Sequence, residues 1–135
     1  MPMLNWNEHE FIECLEVLPV ELYDGAGHRF VTRRNGLELT LVVWKYDSVI
    51  EISIRQTEYD VPLIQFVLVV RGGVHFKRNT PPEAEYLLFR DVFVAPREGS
   101  YTNYEHLNWY NPSDLPGIQE VLISIRPSIR VEFVD

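Results

Sequence analysis

A mainly β domain is what this sequence predicts, and three observations predict it. Asn35-Gly36 lies between two runs of alternating apolar residues, 28–34 and 37–44. Two further runs rich in Val, Ile and Phe follow at 49–56 and 63–70. Apolar residues at helical spacing mark one stretch near the N-terminus, residues 7–18. The expected architecture is an antiparallel sandwich or flattened barrel of about eight to ten strands with one N-terminal helix. The alternative is an α+β arrangement, a single large antiparallel sheet covered by that helix.

The helix starts at a capping signal. Asn5 or Asn7 can accept from the first free amides, and Asn5 with Glu8 has capping-box spacing. Phe11, Ile12, Leu15 and Leu18 share one side with Cys14 at its margin, and Pro19 is expected to end the helix. His9, Glu10, Glu13 and Glu16 share the other side. Glu13 and Glu16 stand near the C-terminus, where the helix dipole disfavours negative charge. A basic group is therefore expected opposite them, either an Arg of the body or a partner's.

Residues 20–23 read as a short edge strand, stopped by Asp24-Gly25-Ala26-Gly27. The Asn-Gly turn then sets a register, because both of its residues take positive φ readily. It pairs Arg33 with Glu38, Thr32 with Leu39 and Phe30 with Leu41. The turn at 45–48 pairs Leu39 with Ile54, Leu41 with Ile52 and Val43 with Ile50. One face then carries Phe30, Leu39, Leu41, Val43, Ile50, Ile52 and Ile54, and the opposite face carries a row of Arg33, Glu38 and Arg55. A slip of one residue would lose both patterns together.

Residues 63–70 are apolar on both faces except at Gln65, which predicts cover on both sides. Gly72-Gly73 reads as a hairpin turn that sets His75 opposite Val70 and Phe76 opposite Val69. Residues 86–90 and 92–95 read as one long strand bent near Asp91, and 118–125 with 129–134 as a closing hairpin. Nothing divides the chain, so residues 1–135 are read as one domain.

Composition excludes several classes. The net charge is −8; residues 1–27 carry six acids and no Lys or Arg, and the other 108 carry fourteen acids against twelve bases. An acidic chain repels phosphate backbones, so no nucleic acid is expected as partner. No apolar run approaches a membrane span, and the N-terminus has neither a basic n-region nor an apolar h-region. The expected location is the cytoplasm, with no membrane partner. The single Cys14 leaves no internal disulfide framework, and it is read as a small core residue.

Chemistry-bearing motifs are scarce. None of His9, His28, His75 and His106 stands at zinc-ligand spacing from another His or Cys. His28 falls on the apolar face and is read as a satisfied histidine at the core's edge. Gly72-Gly73 leads into a strand rather than a helix, so it is no phosphate loop. No cofactor, metal or catalytic set is expected.

The longest polar interval, residues 97–117, is also aromatic: Tyr101, Tyr104, His106, Trp109 and Tyr110 alternate with Asn and Thr. Such side chains make a binding loop or fold back as a lid on the core. Candidate binding residues are therefore Glu10, Glu13 and Glu16 on the helix, and Tyr101, Tyr104, His106, Trp109 and Tyr110 in the loop. The leading functional expectation is a non-catalytic protein-interaction domain, in its specific form an acidic inhibitor or immunity-type protein covering a basic partner. A small-molecule carrier with a cavity between sheets is the second, and a hydrolase or isomerase built on His28, His75 or His106 the third. An exposed strand edge would also permit a homodimer.

Overall fold

The computed structural model describes residues 3–78, 85–96 and 119–134. One helix, α1 (Glu8–Leu15), precedes nine strands: β1 (Val20–Leu22), β2 (Gly27–Arg34), β3 (Leu37–Trp44), β4 (Val49–Gln56), β5 (Ile64–Val70), β6 (Val74–Lys77), β7 (Tyr86–Pro96), β8 (Gln119–Ser124) and β9 (Arg130–Val134). All nine belong to one antiparallel sheet in the order β1-β2-β3-β4-β5-β7-β8-β9, with β6 also on β7. The mainly β expectation holds, in its single-sheet form rather than as a sandwich or closed barrel.

The registers expected across β2, β3 and β4 are the observed ones. Arg33 faces Glu38 and Phe30 faces Leu41 across β2 and β3, while Leu41 faces Ile52 and Val43 faces Ile50 across β3 and β4. The closing hairpin pairs Val121 with Phe133 and Ile123 with Val131. The edge strand β1 lies on β2. The long β7 carries its irregularity between Phe89 and Val92, with Asp91 at φ 53°.

The segment after β5 corrects the sequence reading. β6 does not turn back on β5; both strands run along the same side of β7, Val70 opposite Val92 and Val74 opposite Phe89. His75 accordingly faces Leu88, and Phe76 faces Leu87. The glycines form a jog in one interrupted strand. Gly72 N–H donates to the Arg90 carbonyl, and Arg90 N–H donates to the Gly73 carbonyl. A Cβ at Gly72 would stand 2.8 Å from that Arg90 oxygen, which is why glycine fits there.

The helix begins as expected and stops early. Asn7 Oδ1 accepts from the amides of His9 and Glu10. Glu16, left-handed at φ 57°, ends the helix before Pro19 can. Phe11, Cys14 and Leu15 are buried, whereas Leu18 is exposed. Phe11 reaches Phe30 and Phe89, with ring centroids 5.6 and 6.0 Å apart. It fills the concave side of the sheet, together with Leu39, Leu41, Ile52 and Leu68. Burying one such aromatic contributes about 2 kcal/mol.

Residues Phe66 to Val70 are all buried, so the expected double cover holds for that part of β5. On the convex side Val67 and Val69 join Val49, with Trp44 and Phe93 against them. Side chains draw the curled sheet together beyond its strand pairing. Glu16 meets Arg34 at 3.2 Å and Arg126 at 2.5 Å, and Asn35 Nδ2 donates to the Pro127 carbonyl. No helix among the described residues is long and apolar enough to cross a membrane.

Candidate binding surface

The helix carboxylates are already engaged within the chain. Glu13 meets Arg78 at 2.6 Å, and Glu16 meets Arg34 and Arg126. The basic groups expected opposite them are thus arginines of the body. The Arg126 hydrogen bond is the main cause that holds the Glu16 carboxyl below its ordinary range. Glu10 has no charged partner among the described residues. Tyr101, Tyr104, His106, Trp109 and Tyr110 lie outside the described residues.

His28 is buried, with Nε2 3.2 Å from Glu8 Oε1 and its ring 5.1 Å from that of Trp6. The place at the edge of the core is the expected one, but the histidine is not fully satisfied, since its buried Nδ1 has no hydrogen-bond partner among the described residues. His75 is exposed on β6. Burial pushes the Cys14 thiol up to about 12, and the Glu85 charge adds to the effect, so the thiol stays protonated in its pocket. The space beneath the sheet that a carrier would need is filled by Phe11, Phe30 and Phe89.

The convex face offers the more open geometry. Even-numbered residues of β3 and odd-numbered residues of β4 point there, as the period of two requires. A cleft of about 280 Å³ runs over them, floored by Thr40, Val42 and Ser53 and flanked by Gln65 of β5. At one end Trp44 Nε1 donates to Glu51 Oε2 at 2.5 Å. At the other, Glu38 takes Arg55 through two hydrogen bonds of 2.8 and 3.1 Å and Arg33 at 2.7 Å. Burial alone would raise the Glu38 carboxyl; Arg55, with Arg33, outweighs it and leaves the carboxyl below its ordinary range. The cleft can donate and accept hydrogen bonds. Among the described residues no His, Cys, Asp and Glu cluster is placed to hold a metal.

The Arg33–Glu38–Arg55 row does more than brace strands. Arg55 Nη1 also donates to the Tyr59 carbonyl at 2.8 Å, tying down the loop between β4 and β5. Sequence reasoning passed over that loop because residues 57–62 belong to neither flanking strand pattern. Its available signal was the sequence Glu58-Tyr59-Asp60-Val61, which alternates acid with large apolar outside any paired register.

No family model matches the sequence, and no curated protein matches it. A solved chain does superpose on it, from a contact-dependent growth inhibition toxin–immunity protein complex of Klebsiella pneumoniae 342. The TM-score is 0.68 at 15% identity, over 98% of this chain and 97% of that one. The likeness is one of fold. It spans nearly the whole of both chains.

Proposed function

We propose that this chain is an immunity-type protein, a non-catalytic domain that neutralises a basic partner protein by binding it. The observation that carries this reading is the end-to-end likeness to a chain of a toxin–immunity complex. The net charge of −8 favours the inhibitor's side of such a pair, since an acidic protein is drawn to a basic partner and steered onto it. The domain acts in the cytoplasm, where the partner would do its damage. Glu10 and the aromatic segment bearing Tyr101, Tyr104, His106, Trp109 and Tyr110 are carried as contact candidates on sequence grounds. Glu13 and Glu16 are weaker ones, since binding through them would break existing ion pairs.

The test has two stages. Tagged protein is used to capture its partner from native extract, and the captured protein is then expressed alone and together with this chain. Growth arrest by the partner, relieved by co-expression, is the expected result. A captured protein that is harmless, or an arrest that co-expression leaves in place, would overturn the proposal.

A further inference from the structure

The structure assigns a docking surface to the β4–β5 loop: we propose that residues 57–64 receive the basic partner, with Tyr59 as the anchor. This rests on the protein-binding reading for the nature of the partner. The surface itself is argued from the side chains that the loop presents.

Four large apolar residues stand in this short stretch with more than half of their surface in water: Tyr59 at 59%, Val61 at 75%, Leu63 at 59% and Ile64 at 51%. Single exposed hydrophobics are ordinary, but a run of them edged by charge is the usual make-up of a binding patch. Phe133 extends it. That ring is 51% exposed and lies 5.5 Å from Phe66, which is two residues along β5 from Ile64. The edge is acidic, since Glu58 and Asp60 flank Tyr59 and neither has an ion pair among the described residues. Arg33 and Arg55, the nearby cations, are both committed to Glu38. A tyrosine between two carboxylates that are unpaired among the described residues fits a partner surface with Lys or Arg around an apolar recess.

The loop is also held in shape before anything binds. Thr57 N–H donates to the Gly36 carbonyl at 3.0 Å, Tyr59 N–H to Gln56 at 3.1 Å and Leu63 N–H to Ile54 at 2.8 Å. Arg55 closes the set from its guanidinium, itself fixed by two hydrogen bonds to Glu38. Ordering a loop on binding costs affinity, and here that ordering is built into the fold.

The test uses a library of random peptides displayed on phage and selected on the intact protein. Enriched peptides should carry Lys or Arg beside an aromatic or branched apolar residue. Their binding should fall at least about tenfold on Tyr59→Ala and on the double variant Glu58→Lys, Asp60→Lys, the loss typical of an anchor residue. Tyr23→Ala, an exposed tyrosine at the far end of the sheet, should leave binding unchanged. Tyr59→Phe, which keeps the ring, should retain most of it. Peptides that bind the loop variants as tightly as the parent, or a selection that enriches nothing, would overturn the assignment. Failure of the immunity reading looks different: the loop binds basic peptides, yet no toxic partner is neutralised. A toxin neutralised equally well by Tyr59→Ala would sink the loop alone.

Discussion

Gly27 and Trp44 stand opposite each other across β2 and β3, and the indole occupies the space where a side chain at 27 would begin. A Cβ built on Gly27 would lie 2.6 Å from Cζ3 of the ring. The absence of a side chain at 27 thus lets the indole lie on the convex face, with Nε1 held by Glu51.

Gly27→Ala should therefore displace the indole or lift β2. The expected cost is about 1–3 kcal/mol, the range for overpacking a well-filled site. Urea denaturation measures it, and the Nε1–H proton resonance of Trp44 should move as its bond to Glu51 lengthens. An unchanged midpoint and an unchanged resonance would show that the ring has room to spare.

Acid should weaken the fold through two carboxylates. Glu16 and Glu38 both sit below the ordinary value of 4.5, so each favours the folded state when ionised. Their contribution is complete above about pH 4.5 and disappears as pH falls through the lowered folded values. Thermal midpoints should accordingly drop on acidification below that point. Glu38→Gln should lower the midpoint at neutral pH, by about 2 kcal/mol in stability, and flatten the acid limb. A Glu38→Gln variant with an acid limb as steep as the parent's would contradict this assignment.

The Cys14 thiol should ignore iodoacetamide at pH 8 in the native protein and react once the chain is unfolded. Burial raises it to about 12, so the folded state keeps the proton that the unfolded thiol gives up near 9.0. Stability should then decline as pH rises from 9 toward 12, since only the unfolded form gains by ionising. Mass spectrometry after timed alkylation reads the first effect. Rapid native labelling would mean that α1 opens readily from the sheet.

Arg55→Ala should free the β4–β5 loop while leaving the strands paired. The amides of Thr57, Tyr59 and Leu63 should exchange faster with deuterium, by about tenfold, while the amides of Leu41 and Ile52 keep their protection. Arg55→Lys should rescue little, because an ammonium cannot take both Glu38 oxygens and reach the Tyr59 carbonyl from one fixed plane. Uniform loosening of the whole sheet would instead make Arg55 a general stabiliser.

Much of the architecture was legible in the residues, for reasons that differ by element. Asn35-Gly36 specifies a two-residue turn, and the apolar alternation on each side allows one register, so β2, β3 and β4 follow. Gly72-Gly73 misled because a glycine pair signals a departure from regular pairing without naming the strand it joins. The amide of Gly72 and the carbonyl of Gly73 find Arg90, a residue that sequence distance keeps out of view. Pro19 marked a helix end, yet Glu16 ends α1 earlier, in a left-handed turn beside Arg34 and Arg126. Those partners come from β2 and from the connection between β8 and β9, and no local pattern announces them. The same is true of the surface at Tyr59. The Arg55 guanidinium that holds the Tyr59 carbonyl comes from β4, and no pattern within residues 57–62 points to it.

The sheet ends at β9 instead of joining back to β1, and that shapes how the protein behaves in concentrated solution. Among the described residues β9 has β8 on one side and no strand on the other. A free strand edge carrying Val131, Phe133 and Val134 is a template for stacking further copies into aggregates. Arg130 and Glu132, interspersed with those residues, act as gatekeepers whose charge makes such stacking unfavourable. Neutralising both should leave the domain folded and send it out of solution.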